Sequence, residues 1–342
     1  MKKKLLLEVI IITALIMLAI VLGSRLTQPA LAPAGPVPDA SGETTTEEST
    51  QETTSEPEPT WFTVPSNRTL SCSDYVVYDL SGNYFGALSG QYTDRVYPAS
   101  ITKLFTAYTA MWHLRVDKLI TAGDELDMVV WGSSVAGIKK GDTLTVEQLI
   151  EAMLLPSGND AAYVLAAAAG RDIREDPNLS AQAAVNAFME EMNSMAASVG
   201  MIDAHFVNPD GIHDQQHYMS LYDIALLGLL VYDNPTISKY AALPVGNNPR
   251  YTEPAQGETE NTSDDAPKQW KNTNELIQPD SVYYCPYATG MKTGQTPNAG
   301  SCLLSSFNYK GRVLIIGVFG CEEKDDRFVD TLQLFNEAIG TS

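Results

Sequence analysis

The sequence predicts an α+β domain: an antiparallel sheet built from both ends of the globular part, flanked by helices and accompanied by an all-helical subdomain. Three observations predict it. Short runs rich in β-branched and aromatic residues stand at 75–88 and again at 301–319, segments of helical period fill most of the chain between them, and an amphipathic segment closes it. Pairing the two ends into one sheet and covering it with the intervening helices is the simplest way to bury all of these apolar faces.

Each element has a local reason. Tyr75-Val76-Val77-Tyr78 reads as a strand, Ser81-Gly82-Asn83 as a turn and residues 84–88 as the return strand. Residues 100–114 carry Leu104, Ala107, Tyr108, Met111 and Leu114 at helical spacing. Thr145-Val146-Glu147-Gln148 is a capping-box pattern that opens a helix, and Pro156 stops that helix at Leu155. Residues 160–169 form an alanine-rich helix that Gly170 is expected to end, and 180–199 and 221–231 form two more. The polar stretch 246–269 reads as a long surface loop. Residues 301–307 and 312–319 form a hairpin turning at 308–311, and a helix over 328–339 closes the domain.

Upstream of Trp61 the chain reads differently. Lys2, Lys3 and Lys4 precede an apolar run from Leu5 to Gly23 interrupted only by Glu8 and Thr13. Residues 1–23 therefore read as an export signal or an N-terminal membrane anchor. Ala30-Leu31-Ala32 resembles a cleavage site, but Pro33 follows it directly, which favours the anchor. Either way, the rest of the chain is expected outside the cytoplasmic membrane. Residues 24–60 are mostly Pro, Thr, Ser, Ala and Glu, with seven acidic residues and no Lys or Arg between Pro38 and Thr60. They read as a disordered acidic tether, which leaves 61–342 as the globular domain.

Composition narrows the function classes. A net charge of −20 over 342 residues argues against nucleic acid as a partner, because binding a phosphate backbone needs a basic face, and no nucleic acid is expected. The same charge argues against simple adsorption to anionic lipid. The four cysteines, Cys72, Cys285, Cys302 and Cys321, make no CxxC pair, and Cys302 and Cys321 read as small core residues. His213 and His217 are four apart, a spacing compatible with a metal, but Pro209-Asp210-Gly211 points to a turn there and no HExxH is present, so no metal is expected. No adenine, flavin or phosphate motif appears, and no cofactor is expected.

Three short motifs carry chemistry. Ser100-Ile101-Thr102-Lys103 places a lysine one helical turn from a serine at a helix start, where free N–H groups favour developing negative charge. A lysine buried near another cation can lose its proton and act as a base. Ser157-Gly158-Asn159 sits between two apolar helices just after Pro156, whereas the copy at Ser81-Gly82-Asn83 lies between strands and reads as a hairpin turn. Lys292-Thr293-Gly294 stands near the start of the C-terminal strands, flanked by Gly290 and containing Gly294, so a ligand backbone could approach closely. Singly, each has a bland reading as a cap, a connector or a turn. Together and in this order they are the S-x-x-K, S-D-N, K-T-G signature of acyl-serine enzymes, with Gly in the middle motif.

On these residues the chain resembles the low-molecular-weight penicillin-binding proteins, the serine D-alanyl-D-alanine carboxypeptidases. Pro98-Ala99-Ser100-Ile101-Thr102-Lys103-Leu104-Phe105, Leu154-Leu155-Pro156-Ser157-Gly158-Asn159-Asp160, His205-Phe206-Val207-Asn208-Pro209-Asp210-Gly211, Asn272-Thr273-Asn274 and Gly290-Met291-Lys292-Thr293-Gly294-Gln295 all contribute. The resemblance implies a β-lactamase/transpeptidase-like fold over roughly Trp61 to Ser342. One departure is expected: many members carry a β-rich C-terminal domain, and the residues after Lys292 are too few for both the remaining strands and such a domain.

It also implies a mechanism. Ser100 would be the nucleophile and Lys103 the general base. Ser157 would relay a proton between Lys103, Lys292 and the leaving amine, and Asn159 would bind the substrate amide. Lys292 and Thr293, with Gly294 allowing close approach, would hold the substrate carboxylate, and Lys292 would keep Lys103 neutral by repulsion. The backbone N–H groups of Ser100 and Gln295 would form the oxyanion hole. The implied substrate is the peptidoglycan pentapeptide ending in D-Ala-D-Ala, and β-lactams are implied as covalent inhibitors. Two other readings stay open at this point: a class A-like β-lactamase, for which Glu175 and Glu190 are the available carboxylates, and a non-catalytic penicillin-binding wall module.

Overall fold

The computed structural model describes residues 68–249 and 268–340. The segments 1–23 and 24–60 lie outside the described residues, as does most of the polar stretch read as a loop. In chain order the elements are β1 (Asp74–Asp79), β2 (Tyr84–Leu88), β3 (Arg95–Val96), α1 (Thr102–Met111), β4 (Leu119–Thr121), β5 (Thr143–Thr145), α2 (Val146–Leu154), α3 (Asn159–Ile173), α4 (Ala181–Val199), β6 (Met219–Ser220), α5 (Leu221–Asp233), α6 (Pro235–Ala241), β7 (Val245–Asn247), β8 (Gln269–Lys271), β9 (Ala288–Thr296), β10 (Gly300–Tyr309), β11 (Arg312–Cys321) and α7 (Asp326–Ile339).

Five strands make one antiparallel sheet in the order β2-β1-β11-β10-β9, so the two ends of the domain meet at β1 and β11, where Val77 faces Ile316. Strand alternation sets what lies on each face. Leu314, Ile316 and Val318 of β11 join Phe328, Leu332 and Phe335 of α7 in one core, while Ile315 and Phe319 join the helices on the other side. Phe307 of β10 stacks on Phe335 at 4.4 Å between centroids, which fixes α7 against the sheet. A one-residue slip of β11 would exchange these two faces, so the register is strongly specified.

The helices follow their sequence signals with instructive exceptions. The capping box of α2 forms: Gln148 N–H donates to Thr145 Oγ1 at 3.1 Å, and Thr145 N–H donates to Gln148 Oε1 at 2.9 Å. Gly170 does not end α3, which runs on to Ile173. A Cβ at 170 would lie 1.8 Å from the Ala184 carbonyl oxygen, so this glycine exists to let α3 and α4 touch. The segment read as a helix over 100–114 begins as a 3-10 turn over Ala99–Ile101 and is α-helical only from Thr102 to Met111. Helix α6 went unread because it is only seven residues long; Asn234 caps it and Pro235 opens it.

Ribbons β3–β6, β4–β5 and β7–β8 run among the helices, so the helical region is not purely helical. The Ser81-Gly82-Asn83 copy is the hairpin turn the sequence suggests, with Asn83 at φ 54°. All four cysteines are buried with free thiols. Among the described residues no helix is long and apolar enough to cross a membrane.

Candidate active site

The nucleophile motif sits at a tight backbone corner. Ile101 N–H donates to Pro98 O at 3.1 Å, closing the 3-10 turn that holds Ser100, and Ala99 adopts φ 47°. A left-handed alanine directly before the serine is stored strain of the kind found at functional sites. Strand β9 packs on this corner: a Cβ at Gly294 would lie 3.1 Å from Ser100 N and 2.9 Å from Pro98 O, so only glycine lets the third motif come this close to the first.

Lys103 lies one turn along, fully buried, and its Nζ donates to Ser100 Oγ at 2.7 Å and to Asp210 O at 2.8 Å. Thr106 Oγ1 donates to Pro209 O at 2.7 Å, and Thr102 Oγ1 lies 2.8 Å from His217 Nε2. Val207 N–H donates to His217 Nδ1, which puts the imidazole proton on Nε2, facing Thr102. Burial holds His217 down to about 3, so it stays neutral. Pro209, Asp210 and His217 thus brace the serine helix from the segment that begins at His205. His213 packs edge-on against Tyr97, with 4.6 Å between ring centroids.

Ser157 also has a left-handed backbone, at φ 66°, just before α3. It lines one cleft of about 370 Å3 with Ser100, Ser134, Thr293, Gly294 and Gln295. Asn159 is buried at the start of α3, and its N–H donates to Ser134 O at 2.8 Å. Lys292 is fully buried and donates to Thr293 O at 3.0 Å. The structure therefore brings all three motifs to one cleft. Among the described residues no hydrogen bond joins Ser157 to Lys103 or Lys292, so the relay is not formed in this resting arrangement.

Sequence reasoning missed part of the cleft. Arg327, only 3% exposed, donates to Gly294 O at 3.2 Å, and its Nε has no partner. It lies near the start of α7 in an acidic run that looks like any solvated helix end. Lys271, Lys324 and Glu275 also line the cleft, so cations outnumber carboxylates there although the chain carries −20. Thr273 Oγ1 meets Thr293 Oγ1 at 2.5 Å, and Asn274 Nδ2 donates to Gly290 O, so the Asn-Thr-Asn segment backs the third motif. Glu175 and Glu190 are not cleft residues, and Glu190 is paired with Arg174.

A family model described as D-alanyl-D-alanine carboxypeptidase, peptidase S11, matches residues 63–323. The chain belongs to this family. It is 31% identical over 241 residues to a D-alanyl-D-alanine carboxypeptidase of a Streptomyces strain, covering 69% of this chain and 77% of that one. It is 28% identical over 251 residues to D-alanyl-D-alanine carboxypeptidase DacF of Bacillus subtilis, covering 72% of this chain and 57% of that one. The chain thus spans little more than half the length of that Bacillus relative. The crystal structure of a Streptomyces DD-transpeptidase superposes with TM-score 0.67 at 26% identity, covering 80% of this chain and 98% of that one.

Within this carboxypeptidase-family site, burial is the main electrostatic fact. It pushes Lys103 down to about 8, against smaller upward pulls from Asp210 and Asp160. It also pushes Lys292 well down, with repulsion from Lys103 and Arg327 adding to the effect. The expectation that Lys292 keeps Lys103 neutral is therefore corrected: desolvation is what lowers Lys103, and the repulsion between the two falls on Lys292. Burial likewise raises Asp210, whose Oδ2 has no partner.

Proposed function

We propose that the chain is a serine D-alanyl-D-alanine carboxypeptidase that acts outside the cytoplasmic membrane on peptidoglycan stem peptides. The observation that carries the reading is a buried lysine amine 2.7 Å from a serine hydroxyl at a strained helix start. At a pKa of about 8 a useful fraction of Lys103 is neutral at physiological pH and can accept the Ser100 proton. Ser100 Oγ attacks the penultimate D-alanine carbonyl, and the backbone N–H groups of Ser100 and Gln295 receive the oxyanion. Ser157 passes a proton to the leaving D-alanine amine, Asn159 binds the donor amide, and water then opens the ester.

The terminal carboxylate fits the end of the cleft where Arg327, Thr293 and Thr273 converge, with Lys292 beneath. A carboxylate there would offset the repulsion that lowers Lys292. Strand β9 is an edge of the sheet, which leaves it free to pair with a peptide. β-Lactams are expected to form the same ester and leave it slowly. The N-terminal segment would anchor the enzyme to the membrane or direct its export.

The deciding experiment incubates the domain with a pentapeptide ending in D-Ala-D-Ala and measures free D-alanine. A labelled penicillin should attach to Ser100, and Ser100→Ala should remove both signals. Attachment elsewhere, or release that survives the substitution, would refute the reading.

Two further results are expected. The acylation rate should rise with pH and level off above about 8, as Lys103 loses its proton. Asp210→Asn removes a carboxylate that favours charged Lys103, so that limb should move to lower pH; a stopped-flow pH profile of β-lactam acylation checks both. Arg327→Leu should raise KM for the D-Ala-D-Ala peptide by about 10- to 100-fold, the worth of a charge-assisted contact. A C-terminally amidated peptide should lose the same factor on the wild-type enzyme, and little more on the variant.

A further inference from the structure

Residues 129–138 form a strap that reaches the cleft at Ser134 and that none of the three motifs includes. The strap is held firmly. Asp160, buried beside Asn159, accepts N–H bonds from Ala136, Gly137 and Ile138 at 2.8–2.9 Å, and Trp270 Nε1 donates to Ala136 O at 3.1 Å. Asn159 N–H is bonded to Ser134 O, and Ser134 lines the cleft. Just before Ser134 the chain makes a turn, with Ser133 N–H donating to Val130 O at 3.2 Å and Ser133 Oγ to the same oxygen at 2.6 Å. At that turn Trp131 is 98% exposed, with Val130 49% and Val135 51% exposed on either side.

A fully exposed tryptophan contributes nothing to the core, and this one stands three residues before Ser134, the strap residue that lines the cleft. The cationic end of the cleft, with Arg327 and Lys324, suits the terminal carboxylate. The rest of the donor chain must then leave by the other mouth. A peptide paired along β9 sends alternate side chains toward the opposite wall. Lys140, just past the strap, is paired with Asp124 and Asp127 at 2.9 and 2.6 Å, so its charge is not on offer to an anionic lipid surface.

We propose that the strap is the wall that recognises the donor peptide upstream of the scissile bond, with Trp131 as a specificity-determining residue for the aliphatic part of its side chains. This rests on the carboxypeptidase reading above, and the test separates the two. In Ser100→Ala, titration with a pentapeptide ending in D-Ala-D-Ala should blue-shift and change the tryptophan emission, and adding Trp131→Phe should remove that change. An acetylated D-Ala-D-Ala dipeptide should cause no such shift. In otherwise wild-type enzyme, Trp131→Ala should lower the ratio of kcat/KM for pentapeptide over dipeptide by about tenfold, the usual worth of an aromatic interface contact.

An unchanged ratio, or an emission change that persists without Trp131, overturns the proposal. So does a response that requires the glycan, seen only with disaccharide-linked pentapeptide. If neither substrate releases D-alanine and no penicillin attaches, the carboxypeptidase reading itself has failed, whatever the emission shows.

Discussion

Lys103→Met is expected to slow acylation by orders of magnitude while leaving the protein at least as stable at neutral pH. The two halves of this result have one cause. The amine sits fully buried with no carboxylate hydrogen-bonded to it; its bonds go to Ser100 Oγ and the Asp210 carbonyl. Desolvation lowers it from 10.5 to about 8. Between those values the unfolded lysine keeps a proton that the folded one has released, so stability rises with pH across that window. Below about 8 the buried charge costs the fold roughly 3 kcal/mol, as a shift of this size implies.

Methionine has similar length and no charge, so it removes that cost and gives up two hydrogen bonds of about 1 kcal/mol each. The net at pH 7 is a gain of about 1 kcal/mol, which reverses at about pH 9 and becomes a loss approaching about 2 kcal/mol above pH 10.5, where wild-type Lys103 is neutral in both states. Acylation should fall by about 10²- to 10⁴-fold, the usual worth of a positioned general base. Thermal melts at pH 7 and pH 10, beside penicillin labelling, check both halves. A melting point well below wild type at pH 7 would mean that Lys103 holds the fold together rather than serving the serine.

That trade of stability for chemistry also explains which features could be read from sequence. The sheet was legible because β1, β10 and β11 alternate apolar residues between two buried faces, and α2 announces itself with a capping box. The motif residues were legible because Ser100-Lys103, Ser157-Asn159 and Lys292-Gly294 stand in the order of one signature, although each alone is bland; the left-handed backbone at Ala99 and Ser157 was not legible. What escaped reading depends on contacts distant in sequence. Gly170 looks like a terminator until Ala184 is seen against it, and Arg327 looks like a surface residue until the Gly294 carbonyl is found above it. For the lowered lysine, burial was foreseen from the sequence, whereas the share expected from Lys292 is not among the causes that lower Lys103. Thr273 lay in a quoted segment, but its hydroxyl contact with Thr293 could not be foreseen from spacing.

Asp160→Ala is expected to be the most damaging single change near the cleft. This carboxylate is buried at the first turn of α3, where a negative group complements the helix dipole. It receives N–H bonds from Ala136, Gly137, Ile138 and Ala161 at 2.8–2.9 Å. Alanine would leave several buried donors without partners, each costing about 1–3 kcal/mol. A total loss of at least about 3 kcal/mol follows, and a melting point lower by roughly 6–12 °C for a domain of this size.

The loss should be visible locally before it is visible globally. The amides of 136–138 are expected to exchange with solvent much faster, because their protection comes from this one side chain. Acylation should fall with them, since Asn159 N–H is bonded to Ser134 of the same strap. Asp160→Asn retains one acceptor oxygen but turns an NH2 toward the donors, so it should fall between alanine and wild type in both stability and exchange. Wild-type melting and exchange in the alanine variant would show that the strap is held from elsewhere, with Trp270 and the Asn159 N–H sufficient to place it.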